Sequence, residues 1–161
     1  MVKNSRLDFR LMLWTFRLRD IFKPPKEVLT ESGIKSGMRV LDYGCGPGSY
    51  TIAAAQIVGG SGKVYALDVN PLAVQQVRKV AMKKGLKNIE TILSDCATGL
   101  EDESIDTVLL FDTFHDLERP EAVLAELYRI LRPDGVLSFN DHHLKEEHEI
   151  ISRVTNGGLF K

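Results

Sequence analysis

The chain has 161 residues, 43% hydrophobic and 27% charged, with a formal net charge of −1, which is enough for one soluble domain around one core. A balance so close to neutral provides no global field for a polyanion, so DNA or bulk RNA is disfavoured as the main partner. The two cysteines, Cys45 and Cys96, form no C-x-x-C pair, which excludes a disulfide scaffold and a zinc ribbon; with no apolar run of membrane-spanning length and no secretory signal, a reducing cytoplasm is expected.

The first predicted element is a helix from Arg6 to Phe22. Leu7, Leu11, Trp14, Leu18 and Ile21 fall on one stripe of it, and Phe9, Leu13 and Phe16 on a second beside it. Two stripes exceed what one core contact needs, so part of this surface should cover a ligand, another subunit or a lipid surface. Pro24-Pro25 ends the helix, and a shorter one should follow to Ser32, stopped by Gly33.

From Met38 the pattern alternates between strands and helices. Arg39 to Asp42 is a short apolar strand followed by the glycine-rich run Gly44-Cys-Gly-Pro-Gly48, then a small-residue helix from Tyr50 to Val58. Lys63 to Asp68 is a second strand, with Asn70 as N-cap, Pro71 opening a helix and Gly85 ending it. Asn88 to Leu93 and Ser104 to Phe111 are the third and fourth strands, the latter carrying the most continuous apolar run. Pro120 opens a helix with Val123, Leu127, Ile130 and Leu131 on one face. Arg132-Pro-Asp-Gly135 reads as a turn, Val136 to Phe139 as a fifth strand, and Leu144 to Val154 as a polar helix ended by Asn156-Gly-Gly158. This order predicts an α/β fold, a doubly wound and mainly parallel sheet flanked by helices.

In such sheets ligands bind beyond the carboxyl ends of the strands. Asp42, Asp68, Asp95 and Asp112 lie at or just past the ends of strands one to four. Four carboxylates on one rim call for a cationic, hydroxyl-rich, amine-bearing ligand. Gly44, Gly46 and Gly48 let backbone approach that ligand, and the following helix N-terminus offers free N–H groups. A dinucleotide fingerprint spaces its last two glycines three apart, whereas here they are two apart. Asp42 would also repel a pyrophosphate. Asp141-His142-His143 with His148 is poorly spaced for a metal site and reads instead as a solvated connector near the acceptor mouth.

The run Val40-Leu-Asp-Tyr-Gly-Cys-Gly-Pro-Gly48 resembles the signature loop of class I S-adenosylmethionine (SAM)-dependent methyltransferases. The resemblance continues through Val64 to Asp68, Leu93 to Asp95, Phe111 to Asp116 and Leu131 to Val136, covering roughly residues 34 to 140, and is nearest to small-molecule enzymes of the ubiquinone/menaquinone-biosynthesis type. It implies a Rossmann-like SAM-binding domain at 34–161 behind an N-terminal helical cap at 1–33. It further implies that Gly44 and Gly46, with Tyr43, Cys45 and Gly48 of the same loop, border the methionine portion of SAM, and that Asp42 acts on its ammonium. Asp68 would accept the ribose hydroxyls, and Val69 would lie against the adenine. Asp95 and the Cys96 N–H would meet the adenine edge, and Phe111 would face the sulfonium.

The acceptor expected from this resemblance is a small molecule, methylated by direct in-line transfer. A general base is needed only for a poorly ionised hydroxyl or carbon acid, and His115 and Asp112 are the nearest candidates; His115 reads equally as a packing or capping residue. Trp14, Phe16 and Leu18 are candidate acceptor-pocket residues. Arg6, Arg10, Arg17 and Arg19 permit contact with anionic lipid, and a homodimer face explains the same stripe. The alternatives are a non-catalytic SAM-binding or partner-activating module and a protein or RNA methyltransferase, although Asp112-Thr-Phe-His115 is unlike the acceptor motif of the latter. The family sheet finishes with an antiparallel hairpin, which is expected to be missing or truncated here.

Overall fold

The structure, a computed structural model, describes residues 6–143, 152, 154, 155 and 158–160. Helices α1 (Arg6–Phe22) and α2 (Pro25–Glu31) precede the alternating part. There follow β1 (Arg39–Tyr43), α3 (Ser49–Val58), β2 (Lys63–Asp68), α4 (Pro71–Lys84), β3 (Ile89–Leu93) and β4 (Ile105–Phe111). A 3-10 turn at Phe114–Asp116, α5 (Pro120–Ile130) and β5 (Leu131–Asn140) complete it. All strand pairs are parallel and the order is β3-β2-β1-β4-β5, so the direction of winding reverses between β1 and β4. Among the described residues the sheet carries no antiparallel hairpin.

Strand alternation builds two core layers. Leu41, Tyr43, Leu67, Val108 and Leu110 face α5 and meet Val123, Leu127 and Ile130. Val40, Val64, Leu109 and Phe111 face the opposite way, onto Leu29 of α2 and Ala54, Ala55 and Val58 of α3. The small residues of α3 bring that helix close to the sheet, so a side chain near its start lies within reach of the strand ends. α4 starts where the sequence indicates: the Asn70 side chain accepts the Leu72 N–H at 2.9 Å, and Gly85 ends it at φ +67°.

Two expectations change. The segment Arg132–Gly135 is not a separate turn but lies inside β5. Ile105 pairs with Leu131 and Thr107 with Val136, so two steps along β4 are matched by five along β5. The surplus residues bulge out of the ladder, which lets proline and glycine sit within a strand. The second change concerns α1. Leu7, Leu11, Trp14, Ile21 and Phe22 are exposed, each by more than 60%, while Phe9, Leu13 and Phe16 are half-buried. Of the expected pocket residues, Phe16 turns inward, whereas Trp14 and Leu18 point outward. Most of the helix expected at Leu144 to Val154, His148, and Asn156 with Gly157 lie outside the described residues.

Candidate functional site at the carboxyl edge of the sheet

The loop after β1 is tied to the end of β2. The Gly44 and Cys45 N–H groups both donate to the Leu67 carbonyl, at 2.8 and 2.9 Å, and the Gly46 N–H donates to Asp68 Oδ2 at 2.8 Å. Gly44 sits at φ +75°, and a Cβ there would fall 2.3 Å from Thr113 Oγ1. The glycine therefore lets the loops after β1 and β4 close on each other at the reversal point of the sheet. Gly48, at φ +89°, caps α3, and a Cβ there would strike Val77 of α4 at 2.7 Å.

Asp42 points from β1 toward α3, where it is buried and accepts the Thr51 hydroxyl at 2.5 Å. Burial pushes its carboxyl up to about 6, the Thr51 bond offsetting only part of the desolvation. Asp68 is likewise raised by desolvation, against the amide bonds from Asn70 and Gly46. Neither forms an ion pair among the described residues. Two carboxylates desolvated beside a glycine loop suit a ligand that brings its own positive charge and hydroxyl donors, and this chemistry fits SAM. Asp68 receives amides from Gly46 and Asn70 at 2.8 Å each and a weaker one from Val69, which leaves carboxylate lone-pair capacity for a hydroxyl donor.

The other residues expected at the site lie on the same edge. Tyr43 is buried and donates to the Asp95 carbonyl at 2.7 Å; burial drives both its phenol and the Cys45 thiol upward. Val69 is half exposed beyond β2. Asp95 is open to solvent and paired with Arg119 at 3.0 Å. The Cys96 N–H bonds to Ser94 Oγ at 3.2 Å, so a ligand nitrogen would have to replace that partner. Phe111 is buried and stands edge-on to Tyr50, with ring centroids 4.9 Å apart. Asp112 takes a left-handed φ of +49° and accepts the His142 N–H at 2.9 Å and faces its Nδ1 at 2.8 Å. His115 Nδ1 lies 3.0 Å from both oxygens of Asp141.

Several residues here escape sequence reasoning. Thr51 is a full turn beyond the loop, and Asp141 follows β5, 26 positions from His115. α1 also reaches the loop. Asp20 Oδ2 accepts the Ser49 hydroxyl at 2.5 Å, Arg19 lies over the rings of Phe16 and Tyr50 at 4.3 and 4.8 Å, and Phe16 is 3.8 Å from where a Gly46 Cβ would be. A cavity of about 340 Å³ lies between α1, the loop and α4, lined by Leu13, Phe16, Asp20, Ser49 and Val80. Only the apolar-polar spacing of α1 hinted at this contact.

A parallel sheet reversing beside a glycine loop, with acidic residues ending β1 and β2, defines a Rossmann-like cofactor-binding domain. Residues 34–158 match the family model described as a methyltransferase domain. A ubiquinone/menaquinone biosynthesis C-methyltransferase from Pseudoalteromonas translucida is 30% identical over 155 residues, 93% of this chain and 59% of that protein. An aklanonic acid methyltransferase from a Streptomyces species is 36% identical over 107 residues, 65% of this chain and 48% of its own length. A solved SAM-dependent methyltransferase from Aquifex aeolicus superposes with a TM-score of 0.76 at 33% identity, covering 84% of this chain and 79% of that one. The chain belongs to the class I SAM-dependent methyltransferases. It spans about half to three-fifths of the length of these curated relatives.

Proposed function

We propose that the chain transfers the methyl group of SAM to a small-molecule acceptor by direct in-line displacement. The observation that carries this reading is the pair of desolvated carboxylates, Asp42 and Asp68, flanking a glycine loop that opens α3. Asp42 would hold the ammonium and Asp68 the ribose hydroxyls; Val69 and Asp95 would border the adenine, and Phe111 the sulfonium. When bound, SAM supplies a methyl group already activated by its positive sulfur, so the protein's part is alignment and exclusion of water. Phe111, Tyr50 and Phe16 provide apolar walls for this. The two relatives are named for aklanonic acid and for ubiquinone/menaquinone biosynthesis, which supports a small-molecule acceptor over protein or RNA.

A thermal-shift titration with SAM and its demethylated product tests cofactor binding, and a transfer screen over quinols, phenols and amines tests turnover. Stabilisation by both ligands and methylation of at least one acceptor is the expected result. Absence of binding in calorimetry overturns the reading. Binding without transfer to any acceptor would favour a partner-activating module.

A finer reading concerns α1. Among the described residues no helix is long and apolar enough to cross a membrane. The outward stripe of Leu7, Leu11, Trp14 and Leu18 nevertheless lies beside exposed Arg10 and Arg17, a pattern suited to an anionic lipid surface. Co-sedimentation with phosphatidylglycerol vesicles, lost in Leu11→Asp and weakened by salt, is expected. A salt-insensitive dimer in solution would assign the stripe to a second copy instead.

A further inference from the structure

We propose that His115 and Asp141 form a carboxylate–imidazole dyad whose outer ring nitrogen takes the proton from a hydroxyl-bearing acceptor, with Asp141 as the positioning residue. The inference rests on the methyl-transfer reading above and narrows its acceptor to molecules with a proton to lose at the nucleophilic group, namely phenols and enols.

The Asp141 side chain is fully buried, and it receives the backbone N–H groups of His115 at 3.0 Å and His143 at 3.1 Å. Burial alone would raise its carboxyl, but the His115 ring bond and the two amides outweigh that and hold it below the usual range. An ionised carboxylate only accepts hydrogen bonds, so the proton of the neutral His115 ring is on Nδ1, which lies 3.0 Å from both oxygens. Nε2 then carries a lone pair, with the exposed Asp116 carboxylate 3.5 Å away as its neighbour. The ring is about one-quarter exposed and packs at a tilt against His143, with centroids 4.1 Å apart, so its plane is held while part of it reaches solvent.

The loop that carries His115 abuts the cofactor loop. Thr113 occupies the space a Gly44 side chain would need, and Phe114 is anchored edge-on against Phe139 of β5 at 5.4 Å. Asp112, the other candidate base, is committed elsewhere. Its N–H donates to the Asn140 carbonyl at 2.7 Å, and its Oδ1 is held by both the N–H and the Nδ1 of His142. Asp112 clasps the loops after β4 and β5, which repays its left-handed backbone. Asp141 joins the same two loops through backbone amides, but it also fixes one ring tautomer, which a clasp alone would not require.

In the proposed step the acceptor O–H passes its proton to His115 Nε2. The acceptor's electron pair forms the new bond to the methyl carbon as the carbon–sulfur bond breaks, its electron pair remaining on sulfur. The positive charge lost by sulfur reappears on the imidazolium, which later releases its proton to water. Asp141 stabilises that imidazolium and keeps Nε2 as the accepting atom.

The test combines tautomer and turnover. Long-range proton–nitrogen spectra of histidine-labelled protein, with His115 assigned by its loss in His115→Gln, should show the Nδ1–H form in the wild type and a shift toward Nε2–H in Asp141→Asn. Transfer from SAM is then compared on two probes, 1,4-naphthohydroquinone and 4-nitrothiophenol, the latter already a thiolate at neutral pH. Asp141→Asn should lower kcat on the hydroquinone by about 100-fold with KM changed less than about threefold, and this loss should exceed that on the thiolate by at least about tenfold. An Nε2–H ring in the wild type, or equal losses on both probes, overturns the dyad. If neither probe is methylated, the tautomer decides alone. Failure of the wild type to bind SAM in calorimetry would instead overturn the methyl-transfer reading, leaving the tautomer measurable.

Discussion

Replacing Asp42 with Asn isolates the cost of keeping a carboxylate in the core beneath the glycine loop. Asp42 is 3% exposed, and its carboxyl is raised from 3.8 to about 6, by desolvation first, with the Thr51 hydroxyl opposing. A folded value above the unfolded one means that ionisation destabilises the fold. The cost is absent well below 3.8, grows up to about 6 and is complete above it. About two units at about 1.4 kcal/mol each give about 3 kcal/mol in total. Roughly 2 kcal/mol of that is incurred between about pH 4.5 and 7.5. The Asn variant has nothing to titrate at this position. The difference in unfolding free energy should therefore move by about 2 kcal/mol in favour of Asn across that window, whatever constant offset the amide introduces. Chemical denaturation at a series of pH values measures it. A difference flat to within about 0.5 kcal/mol would refute the account of Asp42 as a desolvated carboxylate lacking a cation.

Other outcomes follow from the same site. SAM affinity should fall toward about tenfold per pH unit below about 6, because an ammonium pairs only with the ionised Asp42; calorimetry at several pH values checks this. Asp68→Asn should weaken SAM binding by about tenfold, through the loss of a charged acceptor for two hydroxyls, and unchanged affinity would count against its assigned place. Gly44→Ala should destabilise the fold by about 1–3 kcal/mol through its left-handed backbone and the collision with Thr113. Thr113→Gly should relieve only the collision, as read from denaturation midpoints. Leu109→Ala, at a fully buried position of β4, should cost about 2–5 kcal/mol and leave SAM affinity nearly unchanged once folded.

What could be read from the sequence divides along physical lines. Elements fixed by local chemistry were readable: the Asn70-Pro71 start and Gly85 end of α4 depend on residues within one turn, and the apolar run of β4 reports its own burial. The loop and the strand-end aspartates were readable because parallel strands put all their carboxyl ends on one edge. The pairing of His115 with Asp141 was not, because it depends on β4 and β5 lying side by side, which no short-range spacing reports. The sides of α1 were also ambiguous. Both stripes are apolar, and only the contacts of Asp20, Arg19 and Phe16 decide which turns inward. Arg132-Pro-Asp-Gly135 has the composition of a turn, and its place within a strand emerges only from the register against β4.

The bulge in β5 has a consequence for how the molecule behaves in a crowded solution. Among the described residues β5 is one border of the sheet, and it carries Val136, Leu137 and Phe139, a ready template for another chain. Pro133 removes one amide from that border, while Arg132 and Asp134 set opposite charges on the displaced segment. A neighbouring molecule approaching edge to edge therefore meets a ladder that breaks off within a few residues, too short for continuous pairing. Excising the surplus residues should lengthen the part of β5 that can pair continuously with a neighbouring strand.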